Sequence, residues 1–371
     1  MSEHKRNYGI ELLRLLSMFY VVLLHTLGHG GILDAAKKVG GGTYNITWFV
    51  EVWAYCAVDI FALISGFIGY ESKKKDIKLY KLLVLWVTVL CYSVLGVLVC
   101  RAFGTKPIGL RELVKSCFPL TNGLYWYFNA YVGAFLFFPL INIALEKISD
   151  KMVTKLMVLL GIVIPVFEIL TKQYKLMNGY SPIWLIILYL VGASANKLEL
   201  QKKISKKLFV IVAAISIIVT WLWKIYGIKY KSDICEITIS KDSLVSYLSP
   251  TILIVSLCYL LLFSQLKIDN RIMQKIAYIG GGSSFAIYLL NDNRFIRAGF
   301  LKDSFVGWAA DNPMVILVKL LGFAVVFCIA AIIIDRIRIC IFALLKKYIL
   351  NPAAALVKKN TKTNENKKKV G

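Results

Sequence analysis

Arg14 and His25 stand eleven residues apart in an otherwise apolar stretch. In a helix, eleven steps of about 100° leave them about 20° from alignment and roughly 16 Å apart in height, so they share one face. Met18 and Val21 lie between them on that face, with Ser17 nearby. An imidazole has an ordinary pKa of about 6.5 and can take a proton from an attacking hydroxyl at neutral pH. A guanidinium offers a fork of donors suited to phosphate or carboxylate. The pair reads as two polar ends of an apolar slot. In the plainer reading, Arg14 extends to a membrane surface and pairs with Glu11, while His25 bonds a backbone carbonyl. The spacing alone leaves both open. His25 and His29, at i and i+4, could ligate a metal, but only His4 and no cysteine cluster accompany them, so no metal is expected.

Further along, Asp59 sits in the middle of an apolar run and is followed by Phe61 and by Ser65-Gly66-Phe67. A lone carboxylate there should pair with a cation, Arg or protonated His, or take up a proton. The Ser-Gly pair suits close helix packing. Asn122 to Asn129 include Tyr125-Trp126-Tyr127-Phe128, which an interfacial aromatic belt would explain. Ser283-Ser284-Phe285 and Tyr288 to Asn291, with Asp292, Asn293 and Arg294 beyond, form a polar cluster at the end of another apolar run. Glu51 and Glu168 fall near expected interfaces, where water would reach them, and Lys319 can extend its stem outward.

What holds these residues must be a membrane. The 371 residues are 58% hydrophobic, with a mean hydropathy of +0.68 and a formal charge of +24. A water-soluble domain is about half apolar. The 20 Tyr, 20 Phe and 8 Trp exclude a disordered chain, and continuous rather than alternating apolar runs argue against a β-barrel. The expected fold is all-α, a polytopic membrane helix bundle of about ten transmembrane helices. The runs lie at approximately 8–28, 48–70, 79–100, 124–146, 153–171, 182–196, 208–227, 246–266, 276–290 and 313–334. The sixth is short and the ninth carries Gly280 to Gly282, so both are expected to be broken or strongly packed. With the N-terminus inside, inner segments hold 28 Lys and Arg and outer segments 15, which predicts N-in, C-in topology.

Residues 1–350 are expected to form one transmembrane domain and 351–371 a basic cytoplasmic tail that touches anionic headgroups rather than nucleic acid. Glu11 and Arg14 within the first run, with no small-residue cleavage site after it, favour a retained span over a signal peptide. Most of the eight cysteines read as packing, whereas Cys117 and Cys235, in outer loops, could pair.

Arg14 and His25 separated by ten residues, with Val58-Asp59-Ile60-Phe61 leading into Ser65-Gly66-Phe67, resemble the acyltransferase-3 family of integral membrane O-acyltransferases. Tyr125-Trp126-Tyr127 running to Pro139-Leu140, and Ser284-Phe285-Ala286-Ile287-Tyr288-Leu289, look like its later blocks. The resemblance implies ten helices and transfer of an acyl group, most often acetyl from cytosolic acetyl-CoA, to a hydroxyl of a glycan or lipid-linked sugar. It makes His25 the base, with Asp59 orienting it or holding its charge. Arg14, Lys78 and Lys81 then suit the donor's phosphates, and Trp126, Tyr127, Tyr288 and Asn291 suit the acceptor. A bacterial plasma membrane is the expected location. Two departures stand out. Lys78 and Lys81 occupy a loop where relatives often have an Arg-x-x-Arg pair, and Asn291 follows Leu290 where they commonly have histidine. The fused extracytoplasmic domain of some relatives is missing, so a minimal form is expected. The rival reading is a transporter or flippase in which Arg14, Asp59 and Lys319 line a polar path without chemistry.

Overall fold

A computed structural model describes residues 6–72, 79–104, 109–232, 234–235 and 237–350, the last two without their side chains. The chain begins with α1 (Tyr8–Gly28), α2 (Ile32–Val39), α3 (Gly41–Ala54), α4 (Ala57–Glu71) and α5 (Leu79–Phe103). There follow α6 (Leu110–Ser116), α7 (Trp126–Phe135), α8 (Phe138–Lys147), α9 (Asp150–Val158), α10 (Ile164–Thr171), α11 (Pro182–Lys197) and α12 (Leu200–Lys203). The last elements are α13 (Lys206–Tyr226), α14 (Pro250–Ser264), α15 (Arg271–Asn291), α16 (Arg294–Ile296) and α17 (Pro313–Leu345). A two-stranded antiparallel hairpin, β1 (Tyr230–Ser232) and β2 (Ile237–Ile239), pairs Tyr230 with Ile239 after α13.

Helix starts follow the capping chemistry of the sequence. Asn7 accepts from the Ile10 amide at the head of α1, with Glu11 in the first turn. Ser181 accepts from Trp184 at the head of α11, where Pro182 opens the helix, and Asn270 accepts from Ile272 and Met273 at the head of α15. Between α9 and α10 the chain widens into a π-turn over Leu159–Val163, just before Pro165, which has no amide hydrogen to donate.

Six helical stretches among the described residues are long and apolar enough to cross a membrane: Tyr8–Gly28, Gly41–Glu71, Leu79–Phe103, Asp150–Thr171, Lys206–Tyr226 and Pro313–Tyr348. The bent pair α7 and α8, at 48°, makes up to seven. Helices also stand at the other three expected places, but α11 and α14 have only 16 and 15 residues, and α15 is not among the six. The architecture is a helical membrane bundle. The expected count of about ten exceeds the six to seven that length and composition support.

Burial sorts the helices into a centre and a rim. In α1, α4 and α11 most residues are buried, whereas α5, α13 and α17 expose rows of Leu, Val and Ile, as a surface against lipid tails does. Helix α1 packs on α15, α4, α17, α3 and α14, and α4 packs on α11. Small residues permit these approaches. A Cβ on Gly66 would stand 2.0 Å from the Tyr189 carbonyl oxygen, and one on Gly192 2.2 Å from that of Leu63. The glycine triplet likewise serves packing, since α15 runs unbroken through it. Gly281 faces Glu11 at backbone distance, and Gly280 faces Leu15.

Several local expectations change. Glu51 and Glu168 are both buried, not solvated, and Glu168 accepts from the Tyr174 and Leu176 amides at 2.7 Å, closing the loop after α10. Helix α17 continues past Ile334, placing Asp335, Arg336 and Arg338 inside it. Asp335 accepts from Tyr92 Oη at 2.8 Å and from Arg338 Nε at 2.9 Å. Cys117 and Cys235 are exposed and free, and Cys340 is exposed rather than packed. The tail 351–371 lies outside the described residues.

Because Gly66 has backbone, not a flexible side chain, in front of it, Gly66→Ala is expected to push α4 from α11 and cost about 1–3 kcal/mol. A lowered unfolding midpoint in detergent tests this. Gly322→Ala, inside α17 with nothing within 4 Å of the added carbon, serves as the control and should not lower the midpoint.

Candidate functional site

Arg14 and His25 line neighbouring internal cavities, with α1 packed on both α4 and α15. At one end, Glu11 is buried and accepts from Arg14 Nη1 at 3.0 Å and from Arg6 Nε at 3.1 Å. Arg14 is thereby anchored with part of its donor fork still free, and it lines a cavity of about 410 Å³ together with Ser65, Lys81, Tyr131 and Tyr189. A second cavity, about 290 Å³, shares Arg14, Ser65 and Tyr131 with the first. It shares Phe61, Tyr127 and Phe285 with a third, of about 40 Å³, where His25 sits. The three stand in file from guanidinium to imidazole. Lys78 lies outside the described residues.

Several buried polar atoms lack partners, and two of them, His25 Nδ1 and Tyr127 Oη, belong to residues that line the narrow end. His25 Nδ1, Tyr127 Oη, Asp59 Oδ2, Asn129 Oδ1 and Asn291 Oδ1 are all buried without a hydrogen bond. Buried polar atoms are paired as a rule, so such a group marks a place where a polar ligand completes the pairing. Asn291 lies beside the His25 ring, close enough to act on it. Asp59, fully buried, departs from expectation. Its Oδ1 accepts from the indole Nε1 of Trp184 at 3.2 Å, and among the described residues no hydrogen bond or ion pair joins it to His25 or to any cation. The reason is topological: α11 lies against α4 and brings the Trp184 indole to Asp59.

The remaining expected residues divide by task. Tyr288 Oη accepts from the Tyr127 amide at 3.3 Å, one of the unpaired amides at the head of α7, so it fixes that helix while also lining the small chamber. Asn293 is a bracket: it donates to the Tyr92 carbonyl at 3.1 Å and to Tyr125 Oη at 2.8 Å, and caps α16. Trp126 packs against Tyr180, centroids 4.5 Å apart, and stacks on Tyr247 at 6.2 Å, with Tyr55 4.8 Å from Tyr247. Tyr131, Tyr180, Tyr247 and Trp184 escaped the sequence reading. Tyr131, Trp184 and Tyr247 are ordinary aromatics in apolar runs and Tyr180 lies in the loop Asn178-Gly179-Tyr180-Ser181, and no spacing singles any of them out.

Above the chamber, ligand atoms of His25, His29 and Asp292 lie within 4.8 Å of one another, a set with the chemistry to hold a metal. Arg297 stands among them. It donates to Asp292 Oδ1 at 2.9 Å and meets His29 Nε2 at 3.4 Å, so a guanidinium supplies the positive charge there.

The family model described as an acyltransferase domain, of the acyltransferase-3 type, matches residues 7–334. The chain belongs to the acyltransferase-3 family. No curated protein and no solved structure matches it. The matched stretch takes in the whole of the cavity file, from Arg14 to Tyr288, and the protein is therefore a multi-pass membrane acyltransferase.

In this acyltransferase, Trp184→Phe keeps an aromatic ring at that position but strands the second oxygen of Asp59. The expected loss is about 1–3 kcal/mol of stability. A double-mutant cycle with Asp59→Asn, read from unfolding midpoints in detergent, should show the two changes to be non-additive.

Proposed function

We propose that this acyltransferase moves an acetyl group from acetyl-CoA to a hydroxyl of a cell-envelope glycan or lipid-linked sugar, with His25 as general base, in a bacterial plasma membrane. The observation that carries the reading is the series of cavities sharing walls from Arg14 to His25, whose Nδ1 has no hydrogen-bond partner. Arg14 and Lys81, at the wide end, suit the phosphates of coenzyme A. The pantetheine arm then lies between Tyr131 and Phe285 and brings the thioester to the narrow end.

There the imidazole takes the acceptor's hydroxyl proton as that oxygen bonds to the thioester carbon. The phenol of Tyr127, whose oxygen has no other partner, is placed to donate to the oxyanion. As the C–S bond breaks, the coenzyme A thiolate recovers the proton from the imidazolium, so the base is restored and no proton is left over. Asn291 supports the imidazole in place of the histidine that relatives commonly carry, and Trp126 and Tyr288 border the acceptor's side of the chamber. Asp59 acts through the wall it shares with Trp184.

Removing a positioned general base costs about 10²–10⁴-fold in rate. His25→Ala, reconstituted in vesicles, should lose transfer of labelled acetyl by that factor while still binding labelled acetyl-CoA. Undiminished transfer would falsify the assignment. A transporter without chemistry would instead leave acetyl-CoA intact while substrate crosses the membrane. Lys81→Gln should weaken acetyl-CoA binding several-fold and flatten its salt dependence, because an exposed charge–charge attraction is screened by ions. The binding isotherm at two ionic strengths decides that point.

A further inference from the structure

The last helix is longer than the layer it crosses. Pro313–Tyr348 is an apolar helical stretch of 36 residues. At 1.5 Å per residue that is about 54 Å, against about 30 Å of hydrocarbon, so its end reaches the headgroups. That end carries Arg336, Arg338, Lys346 and Lys347 against one carboxylate, Asp335. It stands at the Arg14 end of α1, since Arg336 Nη2 donates to Ser283 Oγ at 3.0 Å, two residues beyond the Gly281 that faces Glu11.

Helices α5 and α17 both pack on α15, and a crevice of about 290 Å³ lies between them. Cys91 and Leu95 of α5 line it with Ile337, Ile341 and Phe342 of α17, and Arg338 is the one charged side chain there among the described residues. Ile337 and Ile341 are exposed, so the crevice opens to the bilayer. Arg338 is held in place without being used up. Its Nε and Nη2 meet Oδ1 of the buried Asp335 at 2.9 and 2.8 Å, and its guanidinium carbon lies 5.3 Å from the Phe342 ring centroid. A guanidinium has five N–H groups, and two reach this carboxylate. Steps of four place Ile334, Arg338, Phe342 and Lys346 on one face, with the second cation about 12 Å along the helix from the first.

We propose that the crevice between α5 and α17 seats an acyl chain of an anionic phospholipid, whose phosphate lies on Arg338 with Lys346 nearby. Apolar walls beside a fixed cation match a molecule with an apolar chain and a charged head. A neutral lipid would satisfy the walls, but the surplus of cations over Asp335 selects a head of net negative charge. Seated there, the lipid braces α5, few of whose residues are buried and which carries Lys81 and Leu85 at the walls of the larger cavities.

The full-length protein can be placed in nanodiscs of phosphatidylcholine alone or mixed equally with phosphatidylglycerol, then released for native mass spectrometry of the lipid it keeps. A cation beside an anionic surface is worth about fivefold in binding, so phosphatidylglycerol should be retained at least about fivefold over phosphatidylcholine. It should also raise the unfolding midpoint, as any ligand of the folded state does. Ile337→Trp, at an exposed position, fills the crevice and should lose both effects. Lys346→Gln should lower the preference by up to about fivefold, and Arg338→Gln should remove it. Equal retention of the two lipids by the unaltered protein would overturn the proposal. So would a preference unchanged in Ile337→Trp, which would place the anionic lipid elsewhere, or a second polypeptide chain retained in place of lipid. Because Arg338→Gln strands Asp335 and can fail to fold, Ile337→Trp and Lys346→Gln carry the decision.

Discussion

A hydrocarbon layer offers no water to a stranded polar group, so every such group inside it must be paired, lined up with a cavity or left costly. The whole arrangement depends on one contact made under that constraint, the seating of α1 against α15. Gly281 lets the α15 backbone reach Glu11, and Glu11 in turn accepts from both Arg6 and Arg14. Arg14 is held by its carboxylate partner without being used up by it. The same contact turns the α1 face that carries His25 toward Phe285 and Tyr288 rather than toward lipid.

Two kinds of polar residue result. Some are tied off: Glu168 by two amides, Asn293 by a carbonyl and a phenol, and Asp335 by Tyr92 and Arg338. These hold loops and helix ends together. Others keep open valences on one small chamber, among them His25 Nδ1 and Tyr127 Oη, with Asn291 Oδ1 beside the His25 ring. Unmet pairing is tolerated where a ligand supplies the partner, and His25 Nδ1 and Tyr127 Oη share the narrowest of the cavities, although unpaired buried atoms such as Ser93 Oγ and Gln201 Oε1 occur elsewhere too.

The shared face of Arg14 and His25 was legible because helical periodicity is a local property, and one helix carries both residues. The pairing of Glu11 with Arg14 followed in the same way, being an i, i+3 contact. Asp59 shows the limit. A lone carboxylate in lipid was expected to pair with a cation or to take up a proton, and the partner the structure gives it is Trp184, 125 residues away on a neighbouring helix. No spacing rule reaches that far. Glu51 was misplaced for a related reason: distance from the end of an apolar run says where an interface lies, not whether a neighbouring helix covers it.

The sequence by itself determined the membrane, the helical class, the places where helices form, and the residue types able to handle a proton and an anion. Hydropathy and periodicity act over a few turns, and those facts need no more than a few turns to decide. Tertiary structure alone decided which aromatic rings close the chamber, that the glycine triplet is a seam and not a break, and how much room remains beside the imidazole. Those are volumes and contacts between helices far apart along the chain, fixed by how closely backbones approach once they are packed.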